Sequence, residues 1–141
     1  MNIVNISQQP EKVFSLLQTL RVDLTFKEFE FILFQAAAAD NFQFFGLFNE
    51  QEDLQGIIGC RILYDFLHGK HLYIDDLVAH TNARKMGVGK LLLNFAEGYA
   101  AEHKCNIIRV STGSDYKPGI EFYEQIGWKI KAVTFKKGIV I

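Results

Sequence analysis

Arg84-Lys85-Met86-Gly87-Val88-Gly89-Lys90 lies between a strand-like apolar run at residues 72–79 and a helical run at residues 91–103. Because glycine has no Cβ, the two glycines allow a tight turn in which several backbone N–H groups point at one anion. The start of a helix carries partial positive charge, and the three basic side chains of the stretch add full charges. The stretch therefore predicts a strand, a phosphate-binding turn and a helix in succession.

Two well-known glycine signatures do not match this stretch. A Walker loop needs a glycine five residues before Gly89 and a Ser or Thr after the lysine, but Arg84 and Leu91 occupy these places. A dinucleotide fingerprint needs a third glycine where this chain has Leu92. The pattern that remains is Arg-x-x-Gly-x-Gly between a strand and a helix.

A second motif follows later in the chain, where residues 119–128 read Gly-Ile-Glu-Phe-Tyr-Glu-Gln-Ile-Gly-Trp. Together, and in this order, the two motifs resemble the GCN5-related N-acetyltransferase (GNAT) family. In that family the first motif holds the pyrophosphate of acetyl-CoA, and the second forms a late helix and the strand after it. The resemblance covers most of the chain from about Gly56 onward and implies acetyl-CoA as co-substrate.

The pattern of apolar residues and turns predicts an α/β (α+β) fold, with a mixed central sheet and helices on both faces. Thr25 and Glu28 have the spacing of a capping box at the start of a helix. We expect one N-acetyltransferase domain over residues 1–141, and the resemblance adds a splayed strand pair that forms the acetyl-CoA cleft. The predicted helices are 9–20, 26–39, 91–103 and 119–126, and the predicted strands are 2–6, 42–48, 56–66, 72–79, 106–111, 128–135 and 139–141.

Composition narrows the class of protein. With 49% hydrophobic and 22% charged residues, no membrane-length apolar run and no secretory signal, we expect a cytoplasmic globular protein. Cys60 and Cys105 suit reduced, buried thiols, and we predict no metal site. A net charge of −1 argues against a nucleic-acid partner. A small-molecule or peptide amine is the expected acceptor, and a homodimer is compatible with the sequence.

Acyl transfer from a thioester to an amine requires that protons move. A lysine-like amine has a pKa of about 10.4 and is almost entirely protonated at pH 7, so the site must remove a proton or desolvate the ammonium. The departing thiolate benefits from a proton donor, and a phenol with a pKa of about 10 is suitable. Tyr123 matches the tyrosine that the family places beside the CoA sulfur, and it is the predicted catalytic acid.

Asp75 and Asp76 stand near the end of the strand before the glycine turn. Adjacent strand residues face opposite sides of a sheet, so we expect one aspartate to face the cleft and the other to face solvent or a helix, unless a bulge switches them. Resemblance to the family's acidic-Leu-Val pattern favours Asp76 as catalytic base or amine orienter. Asp75, His80 or a water remain alternatives. Surface roles are expected for His68, His71 and His103.

Besides the glycine turn, the resemblance implies cofactor contacts at the end of the preceding strand and at the late helix. Leu77, Val78 and Ala79 would pair with the pantetheine amides as an added strand does. The sequence departs from the family pattern at two positions. Lys85 replaces a usual glycine, and the asparagine before the late helix is replaced around Lys117. The predicted cofactor-binding set is completed by Arg84, Lys85, Met86, Gly87, Val88, Gly89, Lys90, Lys117 and Phe122.

The identity of the acceptor is left open by the sequence. The first helices, which set acceptor choice in the family, are rich in phenylalanine, most of it expected in the core and some of it able to line an apolar pocket. Two alternative functions stay open, a catalytically idle CoA-binding module and a toxin-like acetyltransferase of aminoacyl-tRNA. The phenylalanines concerned are Phe26, Phe29, Phe31, Phe34, Phe42, Phe44 and Phe45.

Overall fold

A computed structural model describes the backbone of residues 1–141 and every side chain except that of Lys85. The chain divides into two compact units, Met1–Val110 and Ser111–Ile141, which we call the first and second units. The described backbone forms five strands and four α-helices, with a 3₁₀ turn at Thr81–Met86. In chain order they are β1 (Asn2–Asn5), α1 (Pro10–Leu17), α2 (Phe26–Asp40), β2 (Gln43–Phe48), β3 (Leu54–Asp65), β4 (Gly69–Ala79), α3 (Val88–Glu102), β5 (Ile108–Val110) and α4 (Lys117–Gln125).

The first unit contains one sheet with the strand order β1-β2-β3-β4-β5. The first four strands pair antiparallel and β5 runs parallel to β4, as expected for a strand reached through a crossover helix. On β2, the ring of Phe44 contacts Phe29 of α2, whereas the ring of Phe45 contacts Phe95 of α3. Successive strand residues face opposite sides, so α2 and α3 cover opposite faces. The predicted mixed sheet with helices on both faces is confirmed.

The pairing of β4 changes along its length. It pairs with β5 only through Leu72–Ile74, whereas its pairing with β3 continues to Ala79. Gly59 pairs with Asp76 and Cys60 with Ile74, so Asp75 is an extra residue on β4 and forms a bulge. Within the first unit, β4 beyond Ile74 therefore has one edge without a partner strand.

Both helix starts that the sequence singled out are well defined. The Thr25 hydroxyl accepts from the Glu28 N–H at 3.2 Å, and the Glu28 carboxylate accepts from the Thr25 N–H at 3.1 Å, which confirms the capping box. Helix α3 begins at Val88, three residues earlier than predicted, because Gly87 adopts φ 73° and its carbonyl accepts from Leu91 N–H. Gly89 therefore lies in the first turn of the helix.

The final strands predicted at residues 128–135 and 139–141 are not present. Residues 128–141 have no regular secondary structure, and from Lys129 onward every side chain is exposed. A strand requires a neighbouring strand for its backbone hydrogen bonds, and the only regular element of the second unit in the described structure is α4. The predicted stop of that helix is confirmed, since Gly127 has φ 92° and Trp128 N–H donates to the Tyr123 carbonyl.

The surface role predicted for His71 is wrong. His71 lies inside β4 and is fully buried, with Nδ1 2.9 Å from the Gly69 carbonyl and Nε2 3.0 Å from Arg109 Nη2. Buried polar groups are retained where they have such partners. Most of the phenylalanines lie in the core, as predicted, whereas Phe31 and Phe34 of α2 are 65% and 71% exposed.

Two other expectations from the sequence concern the state of the cysteines and membrane-spanning helices. Cys60 and Cys105 are both free and buried, as predicted, and burial raises the pKa of the Cys60 thiol to about 12. Among the helices of the described residues, none is both long enough and apolar enough to cross a bilayer.

Replacing Thr25 by alanine tests the capping box. The Thr25→Ala variant loses the acceptor for the Glu28 N–H, and we expect the free energy of unfolding to fall by about 1 kcal/mol. Urea unfolding followed by circular dichroism measures this change. Thr134→Ala is the control, because Thr134 is exposed and makes no hydrogen bond in the described structure. Equal midpoints for the two variants would contradict the role of the cap.

Two glycines at α3 should respond to alanine with opposite signs. A Cβ at Gly87 or at Gly98 meets no described atom within 4 Å, so the two positions differ in backbone conformation rather than in space. Gly87 has positive φ, and Gly87→Ala should cost about 1–2 kcal/mol. Gly98 is inside the helix, and Gly98→Ala should stabilise by about 0.5–1 kcal/mol. Thermal melts of both variants beside the wild type decide this, and shifts of the same sign would refute it.

Candidate active site

The stretch predicted to hold an anion, which we call the cradle, lies at the start of α3. After β4 the chain makes the 3₁₀ turn, which begins where the His80 side chain accepts from the Asn82 N–H at 3.2 Å. Ala83 is fully buried and anchors this turn. Gly87 then starts α3, and no side chain caps the helix. The first N–H groups of an α-helix lack intrahelical acceptors, so the backbone at Val88, Gly89 and Lys90 is suited to hold an anion.

The side chains around this cradle divide into two groups. Arg84, Met86 and Lys90 are exposed, and Arg84 Nε lies 3.4 Å from the Ala79 carbonyl. Val88 is fully buried, so only its backbone is available to a ligand. The predicted contribution of the Lys85 side chain lies outside the described residues.

The unpaired edge of β4 leads to the cradle. Leu77 and Ala79 are half-buried, and Val78 is 5% exposed within the core cluster that also contains Phe29 and Phe44. With the side chains of this segment engaged in packing, its backbone is left to pair along the open edge. A ligand with amide groups fits such an edge in the same way as an added strand.

Asp75 and Asp76 both line one cavity in the first unit, against the expectation that they face opposite sides. The bulge at Asp75 is the physical reason, because the extra residue interrupts the alternation of side chains along β4. The cavity lies on the face covered by α1 and α2. The sequence allows a bulge at these aspartates as the exception to alternation, and the structure has it at Asp75.

The two aspartates have different partners. Arg61 binds Asp75 through two bonds of 2.9 and 2.6 Å and binds Asp40 through a third of 2.9 Å. Asp76 accepts two bonds from Arg21, from Nε at 3.0 Å and Nη2 at 2.7 Å, both at Oδ1. No described residue donates to Asp76 Oδ2, so Asp76 retains an oxygen for a ligand while both oxygens of Asp75 are engaged.

Burial raises the pKa of Asp76, and the guanidinium of Arg21 opposes this shift. The side chain is 13% exposed, compared with 52% for Arg21. A carboxylate whose ionised form is disfavoured by desolvation gains from a nearby cation such as an ammonium group. The site can therefore bind an amine and accept its proton.

The cavity has a volume of about 280 Å³ and is mostly apolar. Its polar end consists of Arg21, Arg61, Asp75 and Asp76. Rings of α2 and β2 form part of the wall, and Phe42 lies 4.9 Å from Phe44 between ring centroids. The apolar lining is Leu17, Leu24, Phe29, Ile32, Leu33, Ala36, Phe42 and Phe44.

The second unit carries the other predicted site residues. Tyr123 lies on α4, with ring centroids 5.1 Å from Phe122 and 5.5 Å from Trp128. Burial raises its pKa to about 12, so its phenol is protonated at neutral pH and can donate a proton. Lys117 is exposed at the first position of α4.

Sequence reasoning missed the arginines of the cavity. Arg21 and Arg61 are 55 and 14 residues away from the aspartates that they bind, and nothing in the local sequence links them. It also missed a group in which Asp65, His68 and His71 each bring a metal-ligating atom within 4.8 Å of the others. Arg109 Nη2 already donates toward His71 Nε2 there, so a guanidinium takes the place that a metal ion would need.

Comparison with known proteins shows the family of this chain. The profile of the acetyltransferase (GNAT) family matches residues 11–128. The chain is 25% identical over 127 residues to the uncharacterized N-acetyltransferase YhdJ of Bacillus subtilis (strain 168), with 89% of each chain covered.

Solved structures have the same fold. A putative acetyl transferase from Pyrococcus furiosus superimposes with a TM-score of 0.81 at 26% identity, covering 98% of this chain and 99% of that one. AAC(6')-Iy, solved with the bisubstrate analogue CoA-S-monomethyl-acetylneamine, has a TM-score of 0.83 at 14% identity, covering 99% and 98%. The second likeness is one of fold alone. With the family profile spanning both units, these findings show that the chain belongs to the GNAT family of acetyltransferases and is an acyltransferase.

Proposed function

We propose that residues 1–141 form one N-acetyltransferase domain that transfers an acetyl group directly from the thioester of acetyl-CoA to a primary amine of a small molecule or peptide. The family uses acetyl-CoA, and the family match extends across both units of the chain, which supports a single domain. The reaction forms the N–C bond of an amide and breaks the C–S bond of the thioester. One amine proton is lost and the CoA sulfur gains one.

The observation that carries the proposal is the separation of β4 from β5 immediately before the uncapped start of α3. β4 leaves β5 after Ile74, which exposes a backbone edge through Ala79, and α3 begins at Val88. A long ligand with amides in its middle and a pyrophosphate at one end fits this order of features. CoA is such a ligand, and the family uses it.

In this proposal the pantetheine arm pairs with Leu77, Val78 and Ala79, and an N–H near Val78 polarises the thioester carbonyl. The pyrophosphate is held by backbone N–H groups at the start of α3 and by the charges of the basic residues nearby. We assign this role to the stretch from Arg84 to Lys90. Lys117 and Phe122 are proposed as additional cofactor contacts.

Two proton transfers complete the proposed mechanism. Asp76 Oδ2 orients the amine and takes its proton, directly or through a water, which its raised pKa favours. Tyr123, protonated at neutral pH, donates to the departing thiolate. A phenol with a pKa of about 12 is a weaker acid than a thiol, whose pKa is about 8.5, so we expect Tyr123 to donate a hydrogen bond to the sulfur as charge develops there rather than to lose its proton completely.

Calorimetric titration with acetyl-CoA tests the cofactor site. We expect micromolar binding to the wild type and loss of binding in Gly89→Trp, because an indole in the first turn of α3 blocks access to the N–H groups. Gly98→Trp is the matched control, since it places the same side chain on the same helix at an exposed position two and a half turns away. Absence of binding to the folded wild type would refute the proposed function.

Replacing the proposed acid tests the mechanism. Tyr123→Phe should lower kcat by about 100- to 10,000-fold and leave the Kd for acetyl-CoA unchanged. The rate is measured as release of CoA thiol, with the best acceptor from a screen of polyamines, aminoglycosides, amino acids and peptides. Tyr64→Phe is the control, because Tyr64 is 74% exposed. An unchanged kcat in Tyr123→Phe would show that water or another group protonates the thiolate.

The proposed base predicts an acid limb in the rate profile. Asp76 must be ionised to accept a proton, so kcat/KM should rise with pH as Asp76 loses its proton, at a pH above the 3.8 of a free aspartate. Asp76→Asn should lower kcat/KM and remove this limb, whereas Asp53→Asn in the exposed β2–β3 loop should preserve it. A limb that persists in Asp76→Asn would assign it to another group.

A further inference from the structure

The cavity beside Asp76 combines an apolar wall with a polar end of zero net charge. Two arginines and two aspartates line that end, and all four belong to the first unit. Asp75 and Arg61 satisfy each other, and the third donor of Arg61 is engaged by Asp40. The Arg61 guanidinium also lies 5.2 Å from the centroid of the Phe42 ring. In this half of the polar end, each nitrogen of Arg61 and both oxygens of Asp75 already make a hydrogen bond.

The other half of the polar end is open. Arg21 uses Nε and Nη2 on Asp76 Oδ1 and the Asp75 carbonyl, and its Nη1 donates to no described residue. Asp76 Oδ2 likewise receives no bond from any described residue. Arg21 and Asp76 both line the cavity and are joined by a salt bridge of 2.7 Å, and each keeps one group, a cationic donor and an anionic acceptor, that no described residue engages.

A ligand that satisfies both groups has an ammonium and a carboxylate close together. A zwitterion of this kind pairs its ammonium with Asp76 Oδ2 and its carboxylate with Arg21 Nη1, where a guanidinium suits a carboxylate well. A simple amine leaves the Arg21 donor to solvent, because the Arg21 side chain is 52% exposed, and therefore gains nothing from it. A polyamine or aminoglycoside brings further ammonium groups, and among the described residues of the polar end no second aspartate has a free oxygen for them, because Arg61 engages both oxygens of Asp75.

The apolar wall restricts the remainder of the ligand. The cavity volume of about 280 Å³ is at the lower limit of ligand pockets, so the cavity has room for one side chain rather than for several rings. Phe29, Phe42 and Phe44 line it, together with Leu33 and Ala36 of α2. An aliphatic or aromatic side chain is complementary to this surface.

We propose that the acceptor is a free α-amino acid with an apolar side chain, such as leucine or phenylalanine, acetylated on its α-amine. This inference rests on the proposed function, since it concerns the acceptor of the same transferase. The amino-acid nitrogen forms the new N–C bond and the thioester C–S bond breaks. The ammonium loses two protons, of which one leaves through Asp76 to solvent and the other balances the proton gained by the CoA sulfur, which is released as a thiol. The product is an N-acetyl amino acid.

The test compares ligands that differ by one group. CoA release is measured with saturating acetyl-CoA and L-phenylalanine, L-leucine, L-phenylalanine amide, phenethylamine or L-lysine. We expect kcat/KM for L-phenylalanine to exceed that for the amide and for phenethylamine by at least about tenfold, the effect of one charged hydrogen bond. L-Leucine should be a substrate, and L-lysine should react poorly because its side chain is charged.

Variants separate the carboxylate contact from the pocket. Arg21→Gln should reduce the ratio of kcat/KM for L-phenylalanine to that for phenethylamine to near one, and Arg21→Lys should restore part of it. Lys27→Gln removes a similar charge from an exposed position on α2 and should leave the ratio unchanged. Ala36→Phe fills the cavity and should abolish turnover of L-phenylalanine while the Kd for acetyl-CoA and the melting temperature stay near the wild-type values.

The outcomes for this inference and for the proposed function are distinct. If acetyl-CoA binds and another amine is acetylated while no apolar amino acid is, the inference is overturned and the transferase stands. If phenethylamine equals L-phenylalanine in the wild type, the role of Arg21 is overturned. If acetyl-CoA does not bind the folded protein, the proposed function fails and this inference fails with it.

Discussion

The structure of the site depends on one change in backbone pairing, where β4 parts from β5 and takes up an extra residue. After Ile74, β4 keeps only β3 as its partner, and the bulge at Asp75 interrupts the alternation of its side chains. The first effect leaves a free backbone edge beside the start of α3. The second places Asp75 and Asp76 in the same cavity. A regular strand would have placed one of these aspartates on the opposite face of the sheet.

Placing two carboxylates in one half-buried cavity has an electrostatic cost that the arginines offset. Arg61 is shared between Asp75 and Asp40, and Arg21 contacts Asp76 from the segment between α1 and α2. Such pairs are weak sources of net stability, because desolvation opposes the attraction between the charges. Their clearer effect is positional, since they fix which carboxylate oxygens are occupied. This leaves Asp76 Oδ2 as the acidic oxygen at the cavity that accepts no bond from the described residues.

The predictions that succeeded concern interactions between residues close in sequence. The capping box of Thr25 and Glu28 and the left-handed glycine at 127 depend on atoms within a few residues of each other. The start of α3 also depends on residues close in sequence, and the prediction for it differed only in the first residue of the helix. The predictions that failed depend on distant partners. His71 can be buried because Arg109 of β5 forms a hydrogen bond with its Nε2. Residues 128–141 are not strands because their own unit contains no neighbouring strand in the described structure.

By itself, the sequence determined the family, the order of strands and helices up to α4 and the place of the glycine turn, because glycine conformations, caps and apolar periods act over short distances. Tertiary structure alone decided where the bulge falls, which aspartate keeps a free oxygen and which arginines face the cavity. Those features arise from strand register and from contacts between residues as far apart as Arg21 and Asp76. A one-residue change in register alters which face a side chain occupies, and no local pattern specifies it.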